Sequence, residues 1–201
     1  MHTKLYSVSE GEFEKLAKKA LKYALISAPF TVNRMAIDDL PKRIENIVKG
    51  KLAELMVGAF LISRNVEVDF ERCQTPFYQT DKHDFIYCDY EWDIKNNYLN
   101  IGSKSLKDND FSSLPALIPN RFRGDQWSKR DRTYHNTKGL RMLFTFMIRQ
   151  KKVDKKKKNL FDMQIETEQL EFLSALVDKH GGKNYEKAPF EEKWFWHEWQ
   201  H

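Results

Sequence analysis

The chain has 201 residues, with 34 Lys+Arg against 29 Asp+Glu for a net charge of +5, 41% hydrophobic residues, 13% aromatic residues and 31% charged residues. That length suits one domain with additions, and so many aromatic residues supply a core, which excludes wholesale disorder. The longest apolar run, residues 55–62, falls far short of a bilayer span, residues 1–4 open no signal-peptide core, and two cysteines without a CxxC pair exclude a disulfide scaffold or four-cysteine zinc site. The expectation is a protein without membrane association in a reducing compartment such as the cytoplasm.

Ser9-Glu10-Gly11-Glu12 reads as a capping box, and Phe13, Leu16, Ala17, Ala20, Leu21, Ala24 and Leu25 recur at helical spacing, which predicts a helix over 10–26 that Pro29 closes. Pro41 suits the first turn of a second helix, in which Ile44, Ile47, Val48, Leu52, Leu55, Met56, Ala59 and Phe60 form one apolar stripe to about residue 63. Glu54 lies beside that stripe, with Gly50, Lys51, Gly58 and Leu61 as its three- and four-residue neighbours. Val66-Glu67-Val68-Asp69-Phe70 alternates with period two, as a strand does.

Residues 84–88 and 91–95 flank Asp89-Tyr90 as two strands of a tight hairpin. The stretch 96–124 is rich in Asn, Ser, Asp and Pro and reads as mostly loop, with a short helix expected at 126–134. Residues 140–148 are apolar enough for a buried strand, 160–165 read as its antiparallel partner, and 168–179 read as a last helix ended by Gly181-Gly182. One domain is expected, with a core over about 43–149 and the helix 10–26 and the stretch 160–201 as additions.

Charge is unevenly shared. Residues 121–158 hold 14 basic and 3 acidic residues, a net +11, leaving 20 basic and 26 acidic residues elsewhere, a net −6. Such segregation points to an anionic partner, nucleic acid being the commonest, while Lys151-Lys152 and Lys155 to Lys158 also read as a solvated loop. Basic residues here interleave with Phe122, Trp127, Tyr134 and His135, a mixture that neutralises phosphates and stacks.

On a strand, Glu91, Asp93 and Lys95 share one face and Trp92 and Ile94 the other, with side chains two apart separated by about 6–7 Å at Cα. Asp84 starts the adjoining strand near Asp93 and Lys95, so two carboxylates and a lysine can converge. Two such oxygen donors suit Mg²⁺ or Mn²⁺, which polarises a phosphodiester and lowers the pKa of an attacking water, and a neighbouring lysine orients that water.

Asp84 followed at nine residues by Asp93-Ile94-Lys95 resembles the D…(D/E)xK signature of the PD-(D/E)XK nuclease superfamily, over roughly 43–149. The resemblance implies an α/β (α+β) fold with a restriction-endonuclease-like core, a mixed central β-sheet flanked by helices. It further implies that Asp84 and Asp93 hold a metal, that the Ile94 carbonyl adds a ligand, that Glu54 assists through metal or water, and that Lys95 positions the nucleophile. His83 stands where the family name has proline.

The implied activity is Mg²⁺-dependent hydrolysis of DNA, restriction-type or structure-selective, by a homodimer, with RNA also open as substrate. Arg121, Arg123, Gln126, Lys129, Arg130 and Arg132 are the expected nucleic-acid contacts. The alternative is a non-catalytic nucleic-acid-binding protein on the same fold, and the plainest alternative is a surface hairpin whose Asp93 and Lys95 form an ordinary salt bridge. His197-Glu198-Trp199-Gln200-His201 matches the letters of a zinc-protease helix, and is read as coincidence in an aromatic tail that packs on the body or on a dimer partner.

Overall fold

The computed structural model describes residues 6–32, 39–79, 83–99, 141–148 and 164–200. Helix α1 (Glu10–Thr31) starts at Ser9, whose side chain accepts from Glu12 N. It does not stop at Pro29. Proline removes the donor to Leu25, but Pro29 lies near the helix end and is fully buried beside Phe30, and Thr31 Oγ1 donates back to Ser27 and Ala28 carbonyls. Packing outweighs one lost hydrogen bond at that position.

Helix α2 (Leu40–Ser63) is capped by Asp39, which accepts from Lys42 N at 3.0 Å, with Pro41 in its first turn as expected. Arg43 Nε donates to Thr31 Oγ1 at 3.0 Å and ties the start of α2 to the end of α1.

After α2 the expected strand at 66–70 reduces to a single antiparallel bridge, Asp69 to Ile86, followed by a short 3₁₀ turn (Glu71–Cys73). Val68 and Phe70 nonetheless pack on the sheet core, so the alternation records burial rather than a ladder. Strand β1 (Phe85–Tyr87) then pairs antiparallel with β2 (Tyr90–Leu99). The turn falls at Cys88-Asp89, one residue before the expected Asp89-Tyr90, with φ of 50° at Cys88 and 61° at Asp89, the left-handed pair of a two-residue hairpin.

Strand β2 runs on to Leu99, into residues expected to be loop, because β3 (Arg141–Ile148) pairs with it in parallel from Trp92↔Arg141 to Leu99↔Ile148. Pairing along the whole strand overrides the polar composition of Asn96-Asn97. The sheet is mixed, in the order β1-β2-β3, so the protein is α+β with a small three-stranded sheet.

Helix α3 (Thr167–His180) ends before Gly181-Gly182, with Gly182 at φ 76°. A further short helix, α4 (Glu192–Trp199), follows where no separate helix was expected. Gln164 and Ile165, the described part of the expected strand 160–165, form no strand. The expected helix 126–134 lies outside the described residues.

Two apolar clusters result. The larger joins α1, α2, α3 and α4 around Ala20, Ala24, Ile44, Leu52, Leu173 and Phe195. The smaller joins the end of α2 to the sheet through Val57, Phe85 and Ile94. Helix α2 belongs to both, and Glu54 falls between them. Phe195 is fully buried, so the aromatic tail packs on the body as expected. Among the described residues no helix is long and apolar enough to cross a membrane.

Candidate functional site

The hairpin brings Asp84 and Asp93 together. Phe85 sits opposite Trp92, so one further step of the register sets Asp84 against Asp93. There the ladder departs from regular pairing: Asp84 N donates to the Trp92 carbonyl at 2.9 Å, while Ile94 N donates to the Asp84 carboxylate, Oδ2, at 2.5 Å. A side chain has replaced the backbone acceptor. The hydrophobic half of β2 explains why the acids stay in place, since Ile94 is buried against Val57 and Phe85, and the Trp92 ring stacks on Phe85 at 5.9 Å.

Asp93 is buried, and its Oδ2 lies 2.5 Å from Lys95 Nζ. No donor is aligned with that oxygen, so the contact is an ion pair without a directed hydrogen bond. An exposed pair of this kind would contribute little, but these side chains are only 15% and 9% exposed, so the charges are poorly screened. The plain reading of the hairpin as a surface salt bridge therefore does not describe Asp93.

Burial pushes the Asp84 carboxyl up to about 8, and the charges of Glu54 and Asp93 push the same way against the Ile94 N–H, which favours the carboxylate. Glu54 thus shares the electrostatic field of the hairpin acids from α2. Its carboxylate is paired with Lys51, one turn earlier. Sequence reasoning noted Lys51 only as a neighbour of Glu54 and gave it no role.

Among the described residues no three His, Cys, Asp or Glu side chains form a ready set of metal ligands. The pair Asp84 and Asp93 still fits a divalent cation that keeps several waters. Two carboxyls meet there, one pushed toward protonation by burial and then by its acidic neighbours, the other with a buried oxygen that no hydrogen bond satisfies. A cation would offset that crowding.

Beside the site, His83 Nε2 lies 2.9 Å from Glu91 Oε2. Strand β3 enters the sheet with Arg141 opposite Trp92, one residue from Asp93, and the Arg141 guanidinium lies 3.6 Å from the centre of the Tyr90 ring. Arg121, Arg123, Gln126, Lys129, Arg130 and Arg132 lie outside the described residues. His197 on α4 is exposed and lies 3.2 Å from its own neighbour Glu198, and His201 lies outside the described residues. Cys73 and Cys88 are free thiols. Comparison with family models, curated proteins and solved structures gives no match.

Proposed function

We propose that the chain is a metal-dependent endonuclease that hydrolyses DNA phosphodiesters, built on a restriction-endonuclease-like core. The observation that carries this reading is the meeting of Asp84 and Asp93 across the hairpin with Lys95 beside Asp93. The order of elements supports it: a helix bearing Glu54, a bridge at Asp69, an antiparallel hairpin, and a third strand that joins β2 in parallel.

Asp84 and Asp93 would hold Mg²⁺, or Mn²⁺ in its place, with the Ile94 carbonyl and Glu54 as further oxygen donors directly or through water. Bound there, the ion supplies Lewis-acid polarisation of the phosphate and an acidified water. Lys95 orients that water and offsets charge building on the phosphoryl oxygens. A cation held there would take the place of the proton that burial, and then Glu54 and Asp93, favour on Asp84.

The basic residues Arg121, Arg123, Lys129, Arg130 and Arg132, with Gln126, would hold the substrate backbone, and a homodimer would present two sites to a two-fold duplex. RNA is the second substrate to try.

The test is incubation with supercoiled plasmid, branched DNA, modified DNA and RNA in Mg²⁺, Mn²⁺ or EDTA. Nicking that EDTA abolishes, and that Lys95→Ala and Asp93→Asn each remove, supports the reading. Salt-sensitive binding with no cleavage of any substrate overturns it in favour of a non-catalytic nucleic-acid-binding protein.

A further inference from the structure

Four ion pairs lie along the described helix surfaces of α1 and α2, and one differs from the rest. Lys18–Glu14, Lys42–Glu45 and Lys49–Glu45 have side chains 38–72% exposed, whereas Lys51 and Glu54 are 26% and 19% exposed. Exposed pairs are screened and contribute little, and a half-buried pair holds its geometry better.

Lys51 has a second partner of a different kind. Its Nζ stands 4.7 Å from the centre of the Tyr23 ring, on α1. A cation over an aromatic face is held by the ring quadrupole, and burial strengthens that attraction. One ammonium therefore bridges an aromatic ring on one helix and a carboxylate on the next. That carboxylate is Glu54, one turn before Val57, which packs on Phe85 and Ile94, the neighbours of Asp84 and Asp93.

We propose that Lys51 is a positioning residue of the hairpin site: held over the Tyr23 ring, its ammonium fixes the Glu54 carboxylate in orientation and sets the charge of the site. This rests on the nuclease reading given above. It draws α1, which lies outside the nuclease-like core, into the chemistry.

The pair shows what Lys51 contributes: without its ammonium the Glu54 carboxylate loses a partner that orients it, and the surroundings of the site carry one positive charge fewer.

Lys51→Met keeps the length and helix propensity of the side chain, so the fold is retained. Its kcat for DNA cleavage is expected to fall roughly 10–100-fold, the usual effect of removing a residue that orients a metal-site group. Mn²⁺ affinity measured by calorimetry should hold or tighten, because a nearby positive charge has gone. Lys51→Arg should recover most of the rate, and Tyr23→Leu should lose less than Lys51→Met in the same direction. Lys18→Met, in an exposed pair on α1, should leave the rate unchanged.

The proposal is overturned if Lys51→Met cleaves like the unsubstituted protein. It is equally overturned if kcat, Mn²⁺ affinity and thermal midpoint fall together without rescue by Lys51→Arg, the pattern of a purely structural residue. Failure of the unsubstituted protein to bind Mn²⁺ and to cleave removes the nuclease reading itself, and this proposal with it; an active protein indifferent to Lys51 removes the proposal alone.

Discussion

The helical half and the hairpin half of this molecule use burial for opposite ends. Around α1, α2, α3 and α4, burial covers rings and aliphatic side chains: Phe195 stacks with Phe190 and Trp199, and Phe30 lies against Phe77, Phe190 and His180. Each fully buried large side chain there adds about 1.5–3 kcal/mol. Among the described residues the sheet half buries Val57, Phe85 and Ile94 as its apolar centre, yet it also encloses Asp93 and most of Asp84. Enclosing carboxylates costs stability, so the helical half carries a cost incurred in the sheet half.

The largest expected break of this comparison is chemical. Asp93→Asn removes one of two crowded acids, so cleavage should drop by at least about a hundredfold while the thermal midpoint holds or rises. An assay of initial rates beside a melting curve checks both, and a variant that keeps its rate refutes the assignment. Next in size is Phe195→Ala, which should cost about 3–5 kcal/mol in a denaturant titration because it empties the centre of the helical core. Its cleavage rate should stay near normal wherever the protein remains folded.

Acid should then separate the halves by sign. Asp84 has a folded pKa of about 8, above its unfolded value of 3.8, so its contribution is fully present below about 4 and is lost as pH rises through about 8. In EDTA, stability should fall across that window, and Asp84→Asn should flatten the fall. Mn²⁺ should offset it and release protons at neutral pH.

His180 behaves in the reverse sense and contributes the smallest effect. Its Nδ1 lies 2.7 Å from the Tyr185 hydroxyl among aromatic rings, and burial followed by the charges of Lys179 and Lys183 lowers its pKa from 6.5. The unfolded chain binds that proton more readily, so stability is lost as pH falls below about 6.5. His180→Gln should remove this acid sensitivity from the melting curves while leaving the alkaline fall due to Asp84.

What the sequence made legible follows the range of the interactions. The cap of α1, Pro41 in the first turn of α2, the hairpin, and the alternation of Asp93 and Lys95 are local, and each is readable from residues within one turn or one strand. Pro29 misled because its fate depended on distant packing around Phe30. Residues 66–70 misled because alternation reports buried faces, and of these residues Asp69 alone forms a bridge to a strand. The continuation of β2 through Asn96 needed β3, about 50 residues away, where Thr145 Oγ1 donates to Asn96 Oδ1. In the site, Asp84, Asp93 and Lys95 could be named from spacing. Lys51 could be read as a three-residue neighbour of Glu54, but its contact with Tyr23 crosses from α2 to α1 and leaves no local pattern.

The hydrogen bond from Ile94 N to the Asp84 carboxylate makes one acid part of the main-chain framework. The peptide plane of Ile94 acts as a gauge block: it sets where that oxygen stands, and the neighbouring residue on the same strand carries the second acid. A slip of one residue between the strands would separate the acids and strand an amide at once. The hairpin therefore proofreads its own alignment, and the spacing of the two carboxyls is inherited from the backbone.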